Sequence, residues 1–411
     1  CRGAGPFPLA AAARPARTAR RARRCVTSPR AVATSETDQL LDNVAITREN
    51  LVRPEDPTNN MTDLIFDRLG KNLHQRPAHP LGIIKGIIQE YFEETQPGFN
   101  FFDDLPPVVT AQMNFDEVLV PSDHVSRSYN DTYYVNEELL MRCHTSAHQA
   151  QMLRRGERKF LVTGDVYRRD TIDATHNPVF HQMEGVRVFE PSEWEAAGKD
   201  GTEFCKDELK ATLEGLARKL FGDVEMRWVD AYFPFTEPSI ELEIFYMGDW
   251  LEVLGCGVME KQILDNCDLG DKKAWAFGLG LERLAMVLFQ IPDIRLFWTD
   301  DERFSKQFEA GKVSTFQSYS KFPACYKDVA FWTSEQFTEN NMCEVVRGIG
   351  GDLVEEVVLT DEFTHPKTGK TSNCFRINYR SMDRSLTNEE VNALQEKVRE
   401  ALPEKLGVEL R

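Results

Sequence analysis

The stretch from residue 159 to residue 189 constrains the fold more than any other. Residues 159–168 and 179–189 both read as strands, and the polar loop 170–178 lies between them. Two such runs across a polar loop make an antiparallel hairpin. More extended runs follow at 224–232, 239–246 and 250–258, the last two joined by a turn at Gly248-Asp249. Residues 275–279 form a further strand that runs straight into a helix over 282–289. Two other helices have clear apolar stripes. One opens on Pro80 and carries Leu81, Ile84, Ile88, Tyr91 and Phe92; the other spans 202–220 with Leu209, Leu213, Leu216 and Leu220, and ends at Gly222. Met61, Leu64, Ile65 and Leu69 give 59–69 a helical spacing, whereas 108–121 reads as extended. Antiparallel strands with helices segregated between them indicate an α+β domain.

Near Ser320 the pattern restarts. A strand over 324–332, a helix over 340–349 and a hairpin of 353–363 with 374–380 precede a second helix. Thr387 and Glu390 make a capping box that opens this helix, which runs to about Leu402, and 408–410 is a last short strand. The order is βαββαβ, the ferredoxin-like arrangement.

Charge and composition exclude several classes. The 411 residues hold 49 Lys and Arg against 66 Asp and Glu, a net charge of −17, and 41% are apolar. That apolar share is enough for packed cores. No run of 18 apolar residues marks a membrane-spanning helix. Residues 1–35 hold eight Arg and no acid, which reads as an organellar transit peptide or, alternatively, a basic arm for nucleic acid. The sequence begins on Cys1 rather than Met, which suggests a processed or fragmentary start. Without that segment 41 basic residues face 66 acidic ones, a net of −25, so any RNA contact must be local. The best local patch is Lys367, Lys370, Arg376, Arg380 and Arg384 against Asp383 alone; a merely solvated hairpin is the other reading. The nine cysteines form no C-x-x-C pair, and His144 and His148 lack an H-E-x-x-H glutamate, so neither zinc nor a disulfide framework is expected.

Two places carry chemistry. Strand alternation puts Val166, Arg168 and Asp170 on one side of the hairpin, and Phe180, Gln182 and Glu184 on one side of its partner strand. The loop adds Thr175, His176 and Asn177. A guanidinium, an aromatic plane, an amide and a carboxylate could bind a nucleotide, or they could be a solvated face with surface ion pairs. The second place is Ala276-Phe277-Gly278-Leu279-Gly280-Leu281-Glu282-Arg283. Here a cation in the first turn of a helix opposes the helix dipole, which suggests service to an external anion. A dinucleotide-binding G-x-G-x-x-G is the competing reading, but the third glycine is missing.

The pair Tyr167-Arg168-Arg169-Asp170 and Gly278-Leu279-Gly280-Leu281-Glu282-Arg283 resembles motifs 2 and 3 of the class II aminoacyl-tRNA synthetases. Three further stretches narrow the resemblance to the single-chain organellar phenylalanyl-tRNA synthetase family: His144-Thr145-Ser146-Ala147-His148-Gln149, Phe180-His181-Gln182-Met183-Glu184-Gly185 and Tyr232-Phe233-Pro234-Phe235. The likeness covers about 60–411. It implies a transit peptide over 1–35, a lead-in over 36–78, a class II antiparallel-sheet catalytic domain over 79–315 and a ferredoxin-like anticodon-binding domain over 320–411. The implied activity is ATP-dependent ligation of L-phenylalanine to tRNA(Phe) through phenylalanyl-adenylate, in the mitochondrial matrix, the chloroplast stroma or both. The chain is expected to be a monomer with no membrane contact.

The resemblance also implies roles. Arg168 would hold the ATP α-phosphate and Arg283 the γ-phosphate. Phe180 would stack on adenine, with Phe277 and Gly278 nearby, and Thr175, His176 and Asn177 would reach the phosphates. Glu252 would support Mg²⁺ and the nucleotide, with Glu243 as a second metal candidate and Glu241 a weaker one. Thr145, Ser146, Ala147, His148, Gln149, Gln182, Met183 and Glu184 would surround the amino-acid ammonium and carboxylate. Phe233, Phe235 and Ala276 would line the slot for the ring. Lys367, Lys370, Arg376 and Arg380 would meet tRNA. Asp170 stands where the family pattern usually has Glu, and motif 1, within 80–121, is poorly marked. All catalytic motifs precede residue 320, so adenylate formation is expected not to need the C-terminal unit. The rivals are a non-catalytic RNA-binding relative, which should have lost Arg168 and Arg283, and a class II enzyme for another amino acid, against which Phe233 and Phe235 argue.

Overall fold

The computed structural model describes residues 45–318 and 322–411; the transit segment expected over 1–35 lies outside the described residues. Within 59–69 the chain forms only a short helical turn, Asp63–Phe66, rather than the longer helix the spacing suggests, because Thr62 caps it and the chain leaves the helix at Asp67. Helix α1 (Pro80–Thr95) begins on Pro80, with the His79 ring accepting from the Leu81 N–H at 3.3 Å. Leu81, Ile84, Ile88 and Phe92 are fully buried beneath it.

Strand β1 (Asn100–Phe102) and strand β2 (Val108–Thr110) come next. The extended reading of 108–121 stops at Thr110. Its hydroxyl accepts from the Met113 N–H at 3.1 Å and caps a helical turn, Ala111–Asn114, that a 3₁₀ turn follows. Strand β3 (Leu139–Met141) pairs with β2 in a small separate sheet. The hairpin forms as β4 (Lys159–Tyr167) and β5 (Val179–Phe189), with Asp165 opposite His181.

Helix α2 (Gly201–Phe221) starts where Asp200 accepts from the N–H groups of Thr202 and Glu203. Then come β6 (Glu225–Phe233), β7 (Thr236–Tyr246), β8 (Asp249–Met259), β9 (Lys273–Gly280) and α3 (Leu281–Phe289). Met247 and Gly248 take φ of 54° and 96°, the left-handed values a tight hairpin turn needs. The seven strands run in the order β1-β4-β5-β9-β8-β7-β6, and only β1–β4 is parallel. Helices α1, α2 and α3 bury one face of this sheet, which leaves the other for chemistry.

The C-terminal unit contains β10 (Cys325–Trp332), α4 (Glu339–Gly350), β11 (Val354–Thr364), β12 (Thr371–Tyr379), α5 (Asn388–Leu406) and β13 (Glu409–Leu410). Its sheet order is β11-β12-β10-β13, and the Thr387–Glu390 capping box is formed at both ends. The unit is tied to the sheet domain by ion pairs and hydrogen bonds. Arg68 meets Asp352 at 2.5 Å, and the Tyr133 hydroxyl donates to Glu344 at 2.7 Å. Buried Arg295 reaches the Asp352 and Arg380 carbonyls at 3.0 and 3.2 Å.

Strand β4 carries one partner of a buried charge pair. Arg142 is 1% exposed and donates through Nη2 to Asp165 Oδ1 at 2.8 Å and through Nε to the Asp165 carbonyl at 2.7 Å. A Cβ on Gly164 would lie 2.0 Å from Arg142 Nη2, so the strand can pass the guanidinium only as glycine. Asp165→Ala should strand the buried cation and cost about 3–5 kcal/mol of unfolding free energy, measured by urea denaturation. A loss below about 1 kcal/mol would mean the carbonyls alone satisfy Arg142.

Candidate active site

The other face of the large sheet is partly covered by an apolar cluster that includes Met152, Leu153, Ile263 and Leu264, and beside it lie cavities of about 340 and 360 Å³ with a common wall. Arg168, Gln182, Glu252 and Gly278 line both. The juxtaposition is set by register. Glu184 on β5 lies opposite Gly278 on β9, and Gly278 lies opposite Gly255 on β8. No heavy atom lies within 4 Å of a Cβ built on Gly278, so that strand leaves open space where the cavities join.

The first cavity is closed by aromatic and buried polar groups. Phe233 and Phe235 stack with centroids 5.8 Å apart and planes 10° from parallel. Gly255 admits the Phe233 ring, because a Cβ there would lie 2.7 Å from its Cζ. Ala276 lines the same slot. Across from the rings, Glu184 is 2% exposed and accepts from the Ser146 hydroxyl. Burial raises its carboxyl to about 7, and hydrogen bonds from Ser146 and Gln149 oppose the rise. Among the described residues, Glu184 Oε1 and Gln149 Oε1 have no hydrogen-bond partner. Two unpaired buried acceptors beside an apolar slot fit a ligand ammonium with an apolar tail.

The second cavity gathers charges of both signs, Arg168, His176 and Arg283 against Asp170, Glu252 and Glu282. Arg283 enters it from the first turn of α3, with Nη1 3.2 Å from Glu252 Oε2. Arg168 donates through Nε to the Cys143 carbonyl at 2.9 Å, and its guanidinium sits 5.1 Å from the Phe180 ring centroid. Thr175, His176 and Asn177 line the same wall. Asp173 shapes that loop, accepting from the Thr175 and His176 N–H groups at 2.6 and 2.9 Å and meeting His176 Nδ1 at 2.6 Å. The contact raises the His176 pKa, so the ring leans towards the charged form an anion favours.

Several expected residues lie elsewhere. Met183 points into the helical core, since odd positions of β5 face away from Gln182 and Glu184. Ala147 is buried in a small apolar cluster, and His148 contacts Arg142 Nη1 at 2.9 Å. Phe277 borders the first cavity rather than the second, and its ring stacks on Phe92 at 5.7 Å. Glu243 pairs with Arg227 outside both cavities. Lys367 and Lys370 sit at the exposed β11–β12 turn; Arg376 pairs with Asp328 at 2.8 Å and lies over Tyr326, while Arg380 pairs with Glu355 at 3.0 Å. Asp170 lines the nucleotide-sized cavity, and its carbonyl accepts from Arg347 at 2.6 Å.

The structure adds residues that strand parity could not supply. His144 lines the first cavity from a turn; burial and then Arg168 lower its pKa to about 4, so it is neutral there. Thr236 and Cys256 complete that wall, with the Cys256 thiol pushed up by burial. Glu241 joins Glu252 on the rim; its carboxyl is raised by burial and by repulsion from Glu252 and Glu243. Two mutually repelling carboxylates beside a phosphate-sized space fit Mg²⁺, which takes one or two carboxylates and completes its shell from phosphates and water.

Comparison with known proteins agrees on one family. Residues 66–308 match the class II tRNA synthetase core domain (F), and residues 320–411 match the ferredoxin-fold anticodon-binding domain. The chain is 62% identical to the chloroplastic/mitochondrial phenylalanine–tRNA ligase of Arabidopsis thaliana, covering 90% of this chain and 87% of that one. It is 50% identical to the mitochondrial phenylalanine–tRNA ligase of Dictyostelium discoideum over 86% of this chain and 89% of that one. For the Mus musculus mitochondrial enzyme the identity is 48%, over 87% of each.

The open space at Gly278 makes a clean test of the shared wall. Gly278→Val should leave unfolding free energy within about 0.5 kcal/mol of the parent. Its methyl groups would fill the junction, so adenine-nucleotide binding by calorimetry should fall at least about tenfold. Unchanged nucleotide affinity in a folded variant would separate the junction from the nucleotide site.

Proposed function

The chain belongs to the phenylalanine–tRNA ligases of the class II, single-chain organellar type, and on that membership we propose a reading of its two cavities. The enzyme ligates phenylalanine to tRNA in an ATP-dependent reaction that serves organellar translation. Phenylalanine occupies the slot of Phe233, Phe235 and Ala276, its ammonium on Glu184 and Ser146. ATP occupies the second cavity, its adenine against Phe180 and its phosphates towards Arg168, Arg283 and His176. The observation that carries this is the common wall: Arg168 borders both cavities, so on this reading it stands where the carboxylate of one ligand would meet a phosphate of the other.

That position sets the chemistry. A phenylalanine carboxylate oxygen attacks the α-phosphorus in line; the bond to the bridging oxygen breaks and pyrophosphate leaves. Negative charge spreads over the α-phosphoryl oxygens, where the Arg168 guanidinium stabilises it, while Arg283 holds the departing end. Glu241 and Glu252 would hold Mg²⁺, which supplies charge neutralisation on the phosphates when bound. The terminal ribose 2′-hydroxyl of tRNA(Phe) then attacks the adenylate carbonyl and releases AMP.

The same reading assigns 1–35 to a transit peptide for mitochondrion, chloroplast or both, and 36–78 to a lead-in. It assigns 79–315 to catalysis and 320–411 to anticodon binding. The chain acts as a monomer. Lys367 and Lys370, exposed at the hairpin tip, head the tRNA patch; Arg376 and Arg380 enter it only by leaving Asp328 and Glu355.

Phenylalanine-dependent ATP–pyrophosphate exchange tests the proposal directly. Arg168→Ala and Arg283→Ala should each cost roughly 2–4 kcal/mol of transition-state stabilisation. Near-parental exchange by either folded variant would remove that arginine from the phosphate site.

Glu184 gives the reaction a pH signature. Its carboxyl titrates at about 7 in the free protein, against 4.5 for an unperturbed Glu. The native state therefore holds this proton more tightly than the unfolded chain. The group's contribution to stability is complete below about pH 4.5 and is lost as pH rises through about 7. The ligand ammonium needs the deprotonated form, so phenylalanine must displace the proton. Its affinity should rise about tenfold from pH 6 to pH 8, with proton release at the lower pH, as read by calorimetry in two buffers. Glu184→Gln should bind more weakly and without that dependence. A flat profile in the parent would place the ammonium elsewhere.

A further inference from the structure

The loop between β4 and β5 belongs structurally to two domains. It carries Thr175, His176 and Asn177 into the nucleotide cavity. Its base is closed where the Arg168 N–H donates to the Pro178 carbonyl at 3.0 Å. Ile172, within an otherwise polar loop, is 8% exposed and buried in the apolar core of the C-terminal domain beside Val345, Val357 and Ile377. The backbone crosses with the side chain. The Ile172 carbonyl accepts from the Val357 N–H at 3.0 Å, and Arg347 of α4 donates to the carbonyls of Asp170 and Thr171 at 2.6 and 3.4 Å. Arg347 is 6% exposed and is paired with Glu344, which also accepts from Tyr133. So the carbonyls at 170, 171 and 172 are all held from the C-terminal domain. The next anchor, the Ala174 carbonyl, is held by the Ile294 N–H of the catalytic domain at 2.8 Å.

Asp173 stands between these anchors and accepts from the Thr175 N–H and hydroxyl, the His176 N–H and the His176 ring. The direction of that ring is therefore inherited from where 172 and 174 are pinned. Resting on the nucleotide reading above, we infer that the C-terminal domain braces the ATP loop for adenylate formation, with Ile172 and Arg347 as its positioning residues. This reverses the expectation that adenylate formation is independent of residues beyond 320. The catalytic motifs do precede that point, but the C-terminal domain completes the shape of one of them.

The test uses the full-length chain in phenylalanine-dependent ATP–pyrophosphate exchange, where activity of the parent checks the underlying reading on its own. Ile172→Ala should raise KM for ATP about tenfold and leave KM for phenylalanine within about twofold, because only the nucleotide loop loses its anchor. Ile172→Val, which keeps most of the buried side chain, should restore the parental KM for ATP. A general loss of structure would move both KM values together, and that outcome overturns the inference, as does an unchanged KM for ATP in the folded Ile172→Ala enzyme. Should Ile172→Ala not fold, Arg347→Lys carries the same test with the same outcomes. It keeps a cation for Glu344 but loses the fork that meets Glu344 through Nη1 and the two loop carbonyls through Nη2.

Discussion

A single buried pair holds the catalytic geometry together. Glu282, in the first turn of α3, accepts from His181 Nδ1 at 2.7 Å and from the His181 backbone N–H at 2.8 Å. His181 has no exposed surface and Glu282 only 3%. One carboxylate thus clamps both the ring and the main chain of β5 to the start of the helix that carries Arg283. Taking such a pair out of water costs several kcal/mol, and an apolar pair of the same volume would pack there at no such cost. What the pair supplies is register: β5 cannot slip against β9 and α3 without breaking two bonds to the same carboxylate. Arg168, at the end of the hairpin, and Arg283, at the start of the helix, are spaced by that clamp.

The clamp is one link in a longer polar seam under the sheet. His181 lies opposite Asp165 in register, its ring centroid is 5.1 Å from that of His74, and Asp165 neutralises Arg142. Arg142 in turn contacts His148, the last residue of the turn that carries Ser146. Burial lowers the His74 and His148 pKa values to about 4 and 3, so both rings are neutral near pH 7 and Asp165 is left to balance Arg142. The two cavities are thereby supported from below by one connected set of groups. Above it, glycines decide where ligands can lie. Gly164 yields to Arg142, Gly185 to the Phe277 ring and Gly255 to Phe233, while Gly278 alone among these four faces empty space.

Much of this could be read in the sequence, for reasons that can be named. The hairpin and the strand–helix junction at Gly280 came from period and punctuation, and their parity correctly turned Gln182 and Glu184 to one side. The same parity, applied strictly, would have left out Met183, whose neighbours in sequence are in the cavity but whose side chain is in the core. Glu243 lies two residues from Glu241, yet a bulge between Leu242 and Glu243 changes the local register, and Arg227 takes the carboxylate. His144 sits on a turn, where no period assigns a face. Strand β1 has three residues, too few to show alternation, and its partner β4 is distant in sequence. Ile172 was illegible for the opposite reason. One apolar residue in a polar loop carries no pattern, and its partners lie more than 150 residues later.

In the C-terminal domain, cations that count alike in the sequence sit in different surroundings. Lys367, Lys370, Arg376 and Arg380 look equivalent in a sequence this acidic, but their surroundings differ in kind. Arg380 pairs with Glu355, which also meets Arg295 at 3.5 Å, so that arginine forms part of the seam between the domains. Arg376 shares its charge with Asp328 on the facing strand and covers the Tyr326 ring. The two lysines are at the far tip, where Lys370 has only a 3.5 Å pairing with exposed Glu409. A cation held in a seam contributes nothing to an approaching phosphate until the seam opens, whereas a solvated lysine acts over a Debye length at no conformational cost. The tip therefore carries the most accessible positive charge of this patch. The seam side, which holds Arg380 and the carbonyls of the nucleotide loop, governs how the two domains meet.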